Sequence, residues 1–328
     1  MGIGSVMHHA KRMDEVVGFR RQVLRQVLRI RLHERYRLTK AIDLGAFAGE
    51  RQGNARKVHR SYLGASSCKA DGVGADAAPA QQVADEIKAS GGEAVANFDD
   101  VATVSGGENI IKTALDALGT VDILINNAGI LRDKTFLKME PENWQAVIDV
   151  HLNGAYNVSR PAFGIMKKKG YGRILMTTSA AGLYGNFGQT NYSAAKMGLV
   201  GLMNTLKLEG QKHNIKVNTI APLAASRLTQ DILTPDVIDK LKPELVASMA
   251  LYLVSEQCPV SGNIYNVGMG SFNRAAIVTG PGAVVSDGRE IPTPEQIMGQ
   301  WEKVTHLKGV KEYWNATEQI GDVLKAVT

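Results

Sequence analysis

Arg173-Ile174-Leu175-Met176-Thr177-Thr178-Ser179 runs straight into the glycine-rich Ala180-Ala181-Gly182-Leu183-Tyr184-Gly185-Asn186-Phe187-Gly188, and shortly afterwards comes Asn191-Tyr192-Ser193-Ala194-Ala195-Lys196. The first stretch is a short apolar run with a polar end, the pattern of a strand buried on both faces of a parallel sheet. Residues at the carboxyl ends of such strands line the ligand crevice of a doubly wound sheet. Ser179 is therefore expected at a crevice. Tyr192 and Lys196 stand four apart, which puts them on one face of the helix after the loop. A free phenol ionises near about pH 10, and a cation fixed beside it lowers that value. The pair reads as a tuned proton acceptor, with a serine hydroxyl to hold a substrate oxygen. The same spacing on any exposed helix would be two surface residues. The strand end and the loop in front of it are what set this pair apart.

The same alternation extends in both directions. Residues 121–125 form a second apolar run that stops at Asn126-Asn127-Ala128-Gly129, and a helical segment over 144–158 carries Asn153. Helices are expected over 78–90, 108–118 and 243–253. Strands are expected over 93–98, ending at Asp99-Asp100, over 215–220, ending at Ala221-Pro222, and over 262–267 as the last of the core. Strands alternating with helices predict an α/β class, a Rossmann-like doubly wound parallel sheet. Ala275-Ala276-Ile277-Val278-Thr279-Gly280-Pro281-Gly282 could be taken for a strand and phosphate-binding turn. Pro281, however, removes an amide donor, and residues 283–289 do not read as a helix start, so a β-hairpin is expected there. Thr293-Pro294-Glu295-Gln296 reads as a capped helix start.

Composition narrows the classes. Of 328 residues, 44% are apolar, ordinary for a globular chain. No run reaches the roughly 20 apolar residues of a membrane span. Cys68 and Cys258 are the only cysteines, too few for a disulfide framework or metal-ligand spacing, so no metal is expected. The seven histidines are scattered and read as solvated or satisfied side chains. This fits a reducing compartment such as the cytoplasm; a peroxisomal or mitochondrial setting stays open.

The motifs together resemble the short-chain dehydrogenase/reductases. Asn126-Asn127-Ala128-Gly129 matches that family's strand-end motif, and Asn153, Ser179, Tyr192 and Lys196 fall where it keeps its catalytic four. The stretch from Ser179 to Lys196, with Ile220-Ala221-Pro222, Ser226-Arg227-Leu228-Thr229 and Leu241-Lys242-Pro243-Glu244, is similar to the dehydrogenase unit of peroxisomal multifunctional (D-bifunctional) enzymes. The resemblance covers about residue 71 to the C-terminus. It implies NAD-dependent oxidation of (3R)-3-hydroxyacyl-CoA to 3-oxoacyl-CoA, hence an acyl-CoA-like substrate, and a homodimer. It implies that Tyr192 takes the hydroxyl proton, Lys196 tunes it and holds the nicotinamide ribose, Ser179 holds the substrate oxygen, and Asn153 anchors a relay water. Asp99 would lie beside the adenine, with Asn126, Ala128, Gly129 and Pro222 also around the coenzyme, and 226–235 would form a substrate lid. NADP is not excluded. The rival readings are an NADPH-dependent 3-oxoacyl reductase, or another short-chain alcohol or steroid dehydrogenase, and a catalytically impaired relic.

The relic reading arises from residues 1–70. The family opens with a strand, a glycine-rich turn and a helix whose N-terminal amides cradle the coenzyme pyrophosphate, and nothing here has that form. This head instead holds 15 Lys/Arg against 5 Asp/Glu, while the remainder holds 23 against 27. Val23, Leu24, Val27, Leu28, Ile30 and Leu32 recur at near-helical spacing between arginines. A basic helix on an anionic membrane surface, a nucleic-acid-binding segment, a mitochondrial presequence and text from a shifted reading frame all give such a composition. Nucleic acid lacks aromatic interleaving, and Asp14, Glu15 and Glu34 oppose a presequence, whereas a shifted frame explains both the arginines and the lost motif. The expected organisation is an atypical segment at 1–70, a core at 71–270 whose first β-α-β unit is missing or distorted, and a C-terminal extension at 271–328.

Overall fold

The computed structural model describes residues 47–50, 60–65, 78–89, 91–224 and 240–327. The lid expected at 226–235 and most of the basic head, including its arginine-rich helix, lie outside these residues.

Strands β1 (Phe47–Glu50), β2 (Arg60–Ala65) and β3 (Glu93–Asn97) form one sheet in that order. Strands β4 (Ile123–Asn126), β5 (Gly172–Thr177), β6 (Ile215–Leu223), β7 (Ile264–Gly268) and β8 (Ser271–Ala275) form a second. β4 through β7 are parallel, with Asn126 opposite Met176 and Pro222 opposite Val267. β2 and β3 are also parallel. Helices α1 (Ala78–Ala89), α2 (Val104–Leu118), α4 (Gly154–Lys169), α6 (Thr190–Gly210) and α7 (Pro243–Val254) connect and cover the strands. The doubly wound α/β expectation holds.

Every residue of β5 is buried, and its side chains alternate between two cores. Ile174 and Met176 join Val158, Leu199 and Val217 beneath α4 and α6. Leu175 joins Ile220, Val246 and Ala250 beneath α7 on the other face. This is the period of two in a strand covered on both sides, and it explains the unbroken apolar run from Ile174 to Met176.

The distorted first unit takes a definite form. β1 pairs with β2 antiparallel, with an irregular register. Only residues 51–59 join the two strands, fewer than the dozen or more that a parallel crossover needs. β1 approaches β4, with Cα atoms within 8 Å, but shares no ladder with it.

Two further elements differ from expectation. The C-terminal hairpin is made by β7 and β8, earlier than residues 275–282; its turn residues Met269 and Gly270 both have positive φ, 52° and 78°, as a tight hairpin turn requires. The helix expected over 144–158 is divided into α3 (Pro141–Ile148), a π turn (Asp149–Asn153) and α4. The C-terminal extension adds short α8 (Pro294–Met298) and α9 (Trp301–Thr305), then α10 (Ala316–Val327). Thr293 caps α8 with the reciprocal Thr293–Gln296 hydrogen bonds of a capping box. Lys207 of α6 stacks on the Trp314 ring at 4.3 Å, tying the extension to the core.

Candidate active site

β5 ends at Thr177, and Ser179 begins the short helix α5 (Ala180–Tyr184) as its N-cap, its hydroxyl accepting from the Ala181 amide at 3.2 Å. The chain returns through the glycine-rich loop into α6, where Asn191 is fully buried. Its side-chain amide donates to the carbonyls of Arg132 and Asn143, and its oxygen accepts from the Tyr192 amide at 2.7 Å. Asn191 thus fixes the start of the tyrosine helix against the loop after β4. Gln189 donates to Asp133 at 2.7 Å from the same side.

Ser179, Tyr192 and Lys196 come together as the spacing predicts. The Ser179 hydroxyl is close enough to the Tyr192 phenol to favour its ionised form. Lys196 Nζ lies 5.4 Å from the centre of the Tyr192 ring and donates to the Thr177 carbonyl at 2.7 Å. The Lys196 carbonyl accepts from Thr178 Oγ1 at 2.6 Å. Gly182 lets α5 and α6 meet, since a Cβ there would sit 2.7 Å from Lys196 Cβ.

The electrostatics differ from the simple pair expected from spacing. Lys196 is buried, and desolvation lowers its pKa to about 7. Burial also holds the Tyr192 phenol above its usual range; the Ser179 hydroxyl pulls it back and the negative charge of Asp133 pushes it up. In this chain by itself the phenol is not depressed, because burial outweighs its neighbours.

The Asn153 side chain points to a different set of partners. It is exposed, and its amide donates to Asp149 Oδ1 at 2.7 Å. The π turn changes the helical register here, so that His151 faces inward instead. The His151 ring is buried, meets Tyr192 edge to face with centroids 5.1 Å apart, and places Nε2 against the backbone of Ile130. In the sequence His151 is one of several scattered histidines, with no motif of its own. The signal that could single it out is its apolar flank, Val150 and Leu152, within a helix leading to the motif residues.

The residues expected around a coenzyme lie at the carboxyl ends of the strands. Asp99 comes after β3 and accepts from Asn97 at 2.7 Å. Asn126 closes β4 and donates to Ser159 Oγ at 2.9 Å. Pro222 is near the end of β6. Asn126 and Ala128 share a small internal cavity with His151 and Lys196. Gly129 has a packing role as well: a Cβ there would lie 2.4 Å from His151 Cε1. The buried amine of Lys196 beside Asn126 and Ala128 is suited to one end of a dinucleotide. At the pyrophosphate end, the described residues include no glycine-rich turn opening a helix after β1. No group of three His, Cys, Asp or Glu suited to a metal ion occurs among the described residues, nor is any helix among them long and apolar enough to cross a membrane.

Residues 49–232 match the short chain dehydrogenase family model. The chain is 51% identical over 241 residues to a short-chain type dehydrogenase/reductase of Mycobacterium tuberculosis, covering 74% of this chain and 83% of that one. It is 44% identical over 256 residues to peroxisomal multifunctional enzyme type 2 of Mus musculus, covering 78% of this chain but only 34% of that longer protein. The solved structure of the full-length multifunctional enzyme type 2 from Drosophila melanogaster superposes with a TM-score of 0.66 at 38% identity, over 76% of this chain and 43% of that one. Motif, topology and similarity agree over most of the chain, and it belongs to the short-chain dehydrogenase family, whose members are NAD(P)-dependent oxidoreductases.

Proposed function

We propose that this chain oxidises (3R)-3-hydroxyacyl-CoA to 3-oxoacyl-CoA with NAD. The observation that carries the reading is the convergence of Ser179, Tyr192 and Lys196 at the strand-end crevice. The substrate class is supported by the likeness to multifunctional enzymes of the type 2 kind.

Ser179 Oγ and Tyr192 Oη hold the substrate hydroxyl between them. When bound, the coenzyme would supply the nicotinamide ring that accepts the hydride of the alcohol carbon. Tyr192, as the phenolate, takes the hydroxyl proton, and Ser179 hydrogen-bonds the oxygen as it becomes a carbonyl. Lys196, when protonated, opposes the cost of a phenolate beside it. Its amine is held by Thr177, so its charge is placed without side-chain search.

The raised pKa of Tyr192 favours a second reading, reduction of a 3-oxoacyl carrier. A phenol kept protonated is poised to give its proton to a carbonyl oxygen, which suits the reverse direction. A coenzyme-swap assay separates the two. Faster turnover of (3R)-hydroxybutyryl-CoA with NAD than with NADP, followed by the absorbance of the reduced coenzyme, supports oxidation; preference for NADPH with acetoacetyl-CoA supports reduction. Tyr192→Phe should abolish either activity, and full turnover by that variant would refute the site. Titration with NADH, read by fluorescence, tests the impaired-relic reading: saturable binding removes it. A homodimer is part of this proposal, supported by the exposed apolar residues Trp301, Leu307, Ile320 and Leu324 of the extension.

A further inference from the structure

Three elements meet at the tyrosine: the loop that leaves β4, helix α3 and the first turns of α6. Their apolar contact is small. Ile130 of the loop, Val147 of α3 and Ala195 of α6 are buried together, with Tyr192 packed against them. Apolar attraction is non-directional. It brings the three elements together without fixing how far one slides past another.

A buried polar residue lies at the same junction. Asn191 is 0% exposed and immediately precedes Tyr192. Its side-chain nitrogen donates to the Arg132 carbonyl of the loop and to the Asn143 carbonyl of α3, each at 3.1 Å. Its oxygen accepts from the Tyr192 amide at 2.7 Å. Both of its N–H donors are thus used, each on a different element. The Tyr192 amide belongs to the first helical turn, whose donors have no carbonyl of their own helix to meet. A second set of bonds joins the loop to the approach of α6. The Lys134 amide donates to the Gly188 carbonyl at 2.9 Å, and the Gln189 amide donates to Asp133 at 2.7 Å. Arg132 follows closely on Asn126, Ala128 and Gly129, the residues expected around the coenzyme.

We propose that Asn191 is a positioning residue that sets the separation of the two reacting ends of the site, tying the tyrosine that moves the proton to the loop that seats the coenzyme. Hydride and proton leave neighbouring atoms of one substrate, so the acceptors of both must be held at a fixed separation. Tyr192 belongs to α6, whereas the coenzyme residues belong to the end of β4. Hydrogen bonds to backbone carbonyls are directional, and they fix the register that the apolar contact leaves free. Asn191 acts through the backbone of its neighbours and not on the reacting atoms. The proposal rests on the dehydrogenase reading for its kinetic consequence, but not for the tether itself.

Two substitutions separate this role from a helix cap. Asn191→Asp keeps the oxygen that accepts from the Tyr192 amide, but turns the two donors into an acceptor facing two carbonyls. Asn191→Ser is neutral and shorter, and donates to at most one of them. The kcat should fall about 100-fold in Asn191→Asp and about tenfold in Asn191→Ser, the scale of a reacting group misplaced by about 1 Å, with KM for NAD within about threefold. The deuterium isotope effect on kcat, read with substrate deuterated at the alcohol carbon, should rise in both as the hydride step becomes limiting. Leu253→Ala is the control for general loosening, since Leu253 is buried in the core beneath α7 and away from this junction; it should keep kcat within about twofold. Near-normal kcat in either folded Asn191 variant overturns the proposal, and so does an equal loss in Leu253→Ala. A readout independent of turnover is hydrogen exchange of the Lys134 amide, which should quicken about tenfold or more in Asn191→Ser but not in Leu253→Ala. If the wild-type chain turns over no substrate with either coenzyme, the dehydrogenase reading fails, and this exchange decides the tether alone. Unaltered protection of Lys134 in Asn191→Ser overturns it.

Discussion

Replacing Lys196 by methionine should make the folded chain more stable while removing its turnover. Lys196 is 3% exposed, and burial moves its pKa from 10.5 to about 7. At 1.36 kcal/mol per pH unit, that difference amounts to about 5 kcal/mol. The sign comes from proton counts. Between pH 7 and 10.5 the unfolded chain binds this proton and the folded chain does not, so stability rises with pH across that window. The penalty is fully present below about pH 7, where both forms are charged. The Lys196→Met chain would carry no such penalty, but it would forfeit the 2.7 Å hydrogen bond to the Thr177 carbonyl, a loss of about 1 kcal/mol. The net expectation at pH 6 is a gain of about 4 kcal/mol, shrinking by about 2–3 kcal/mol by pH 9 as the wild type sheds its penalty. Urea unfolding of both proteins at pH 6, 7.5 and 9, with midpoints and slopes compared, measures this directly. If Lys196→Met is no more stable at pH 6, or if its advantage does not fall towards pH 9, desolvation of the lysine is not the dominant effect.

Gly129→Ala should lose at least tenfold in kcat and about 1–3 kcal/mol of stability, because its Cβ would stand 2.4 Å from His151 Cε1 and displace the ring from Tyr192; steady-state kinetics beside thermal melts test both. Leu175→Ala should cost about 2–5 kcal/mol, as this fully buried side chain sits between Ile220 and Val246 in the core beneath α7; denaturant unfolding measures it, and a loss under about 1 kcal/mol would mean the cavity collapses. Asn153→Ala should change kcat by no more than about twofold, in keeping with an exposed side chain bonded only to Asp149; a loss of a hundredfold would return Asn153 to the catalytic group.

Much of this is legible in the residues. The apolar run before Ser179 announces a strand buried on both faces, and the cores on either side of β5 are its direct expression. The four-residue spacing of Tyr192 and Lys196 gives them a common face. Spacing carries no information about depth, however. The phenol's pKa is raised because burial, a property of the whole fold, outweighs local charges. The burial of His151 is hidden for a related reason: an apolar period identifies a helix but not one widened turn within it, and that turn decides which side chains face inward. The antiparallel pairing of β1 is equally out of reach, since it depends on a partner strand and a short connection rather than on any motif in Phe47–Glu50.

The direction of β1 has a lasting consequence. Because β2 runs with β3 and β1 runs against β2, Glu50 lies opposite Arg60, where β2 begins, and not beside the carboxyl ends of β2 and β3. Polarity of this kind is a matter of parity: it changes only when a connection crosses the sheet once more or once less. A parallel β1 would need an insertion long enough to carry a right-handed crossover between β1 and β2. Direction in this sheet is thus set by the length of a connection, which no single substitution alters.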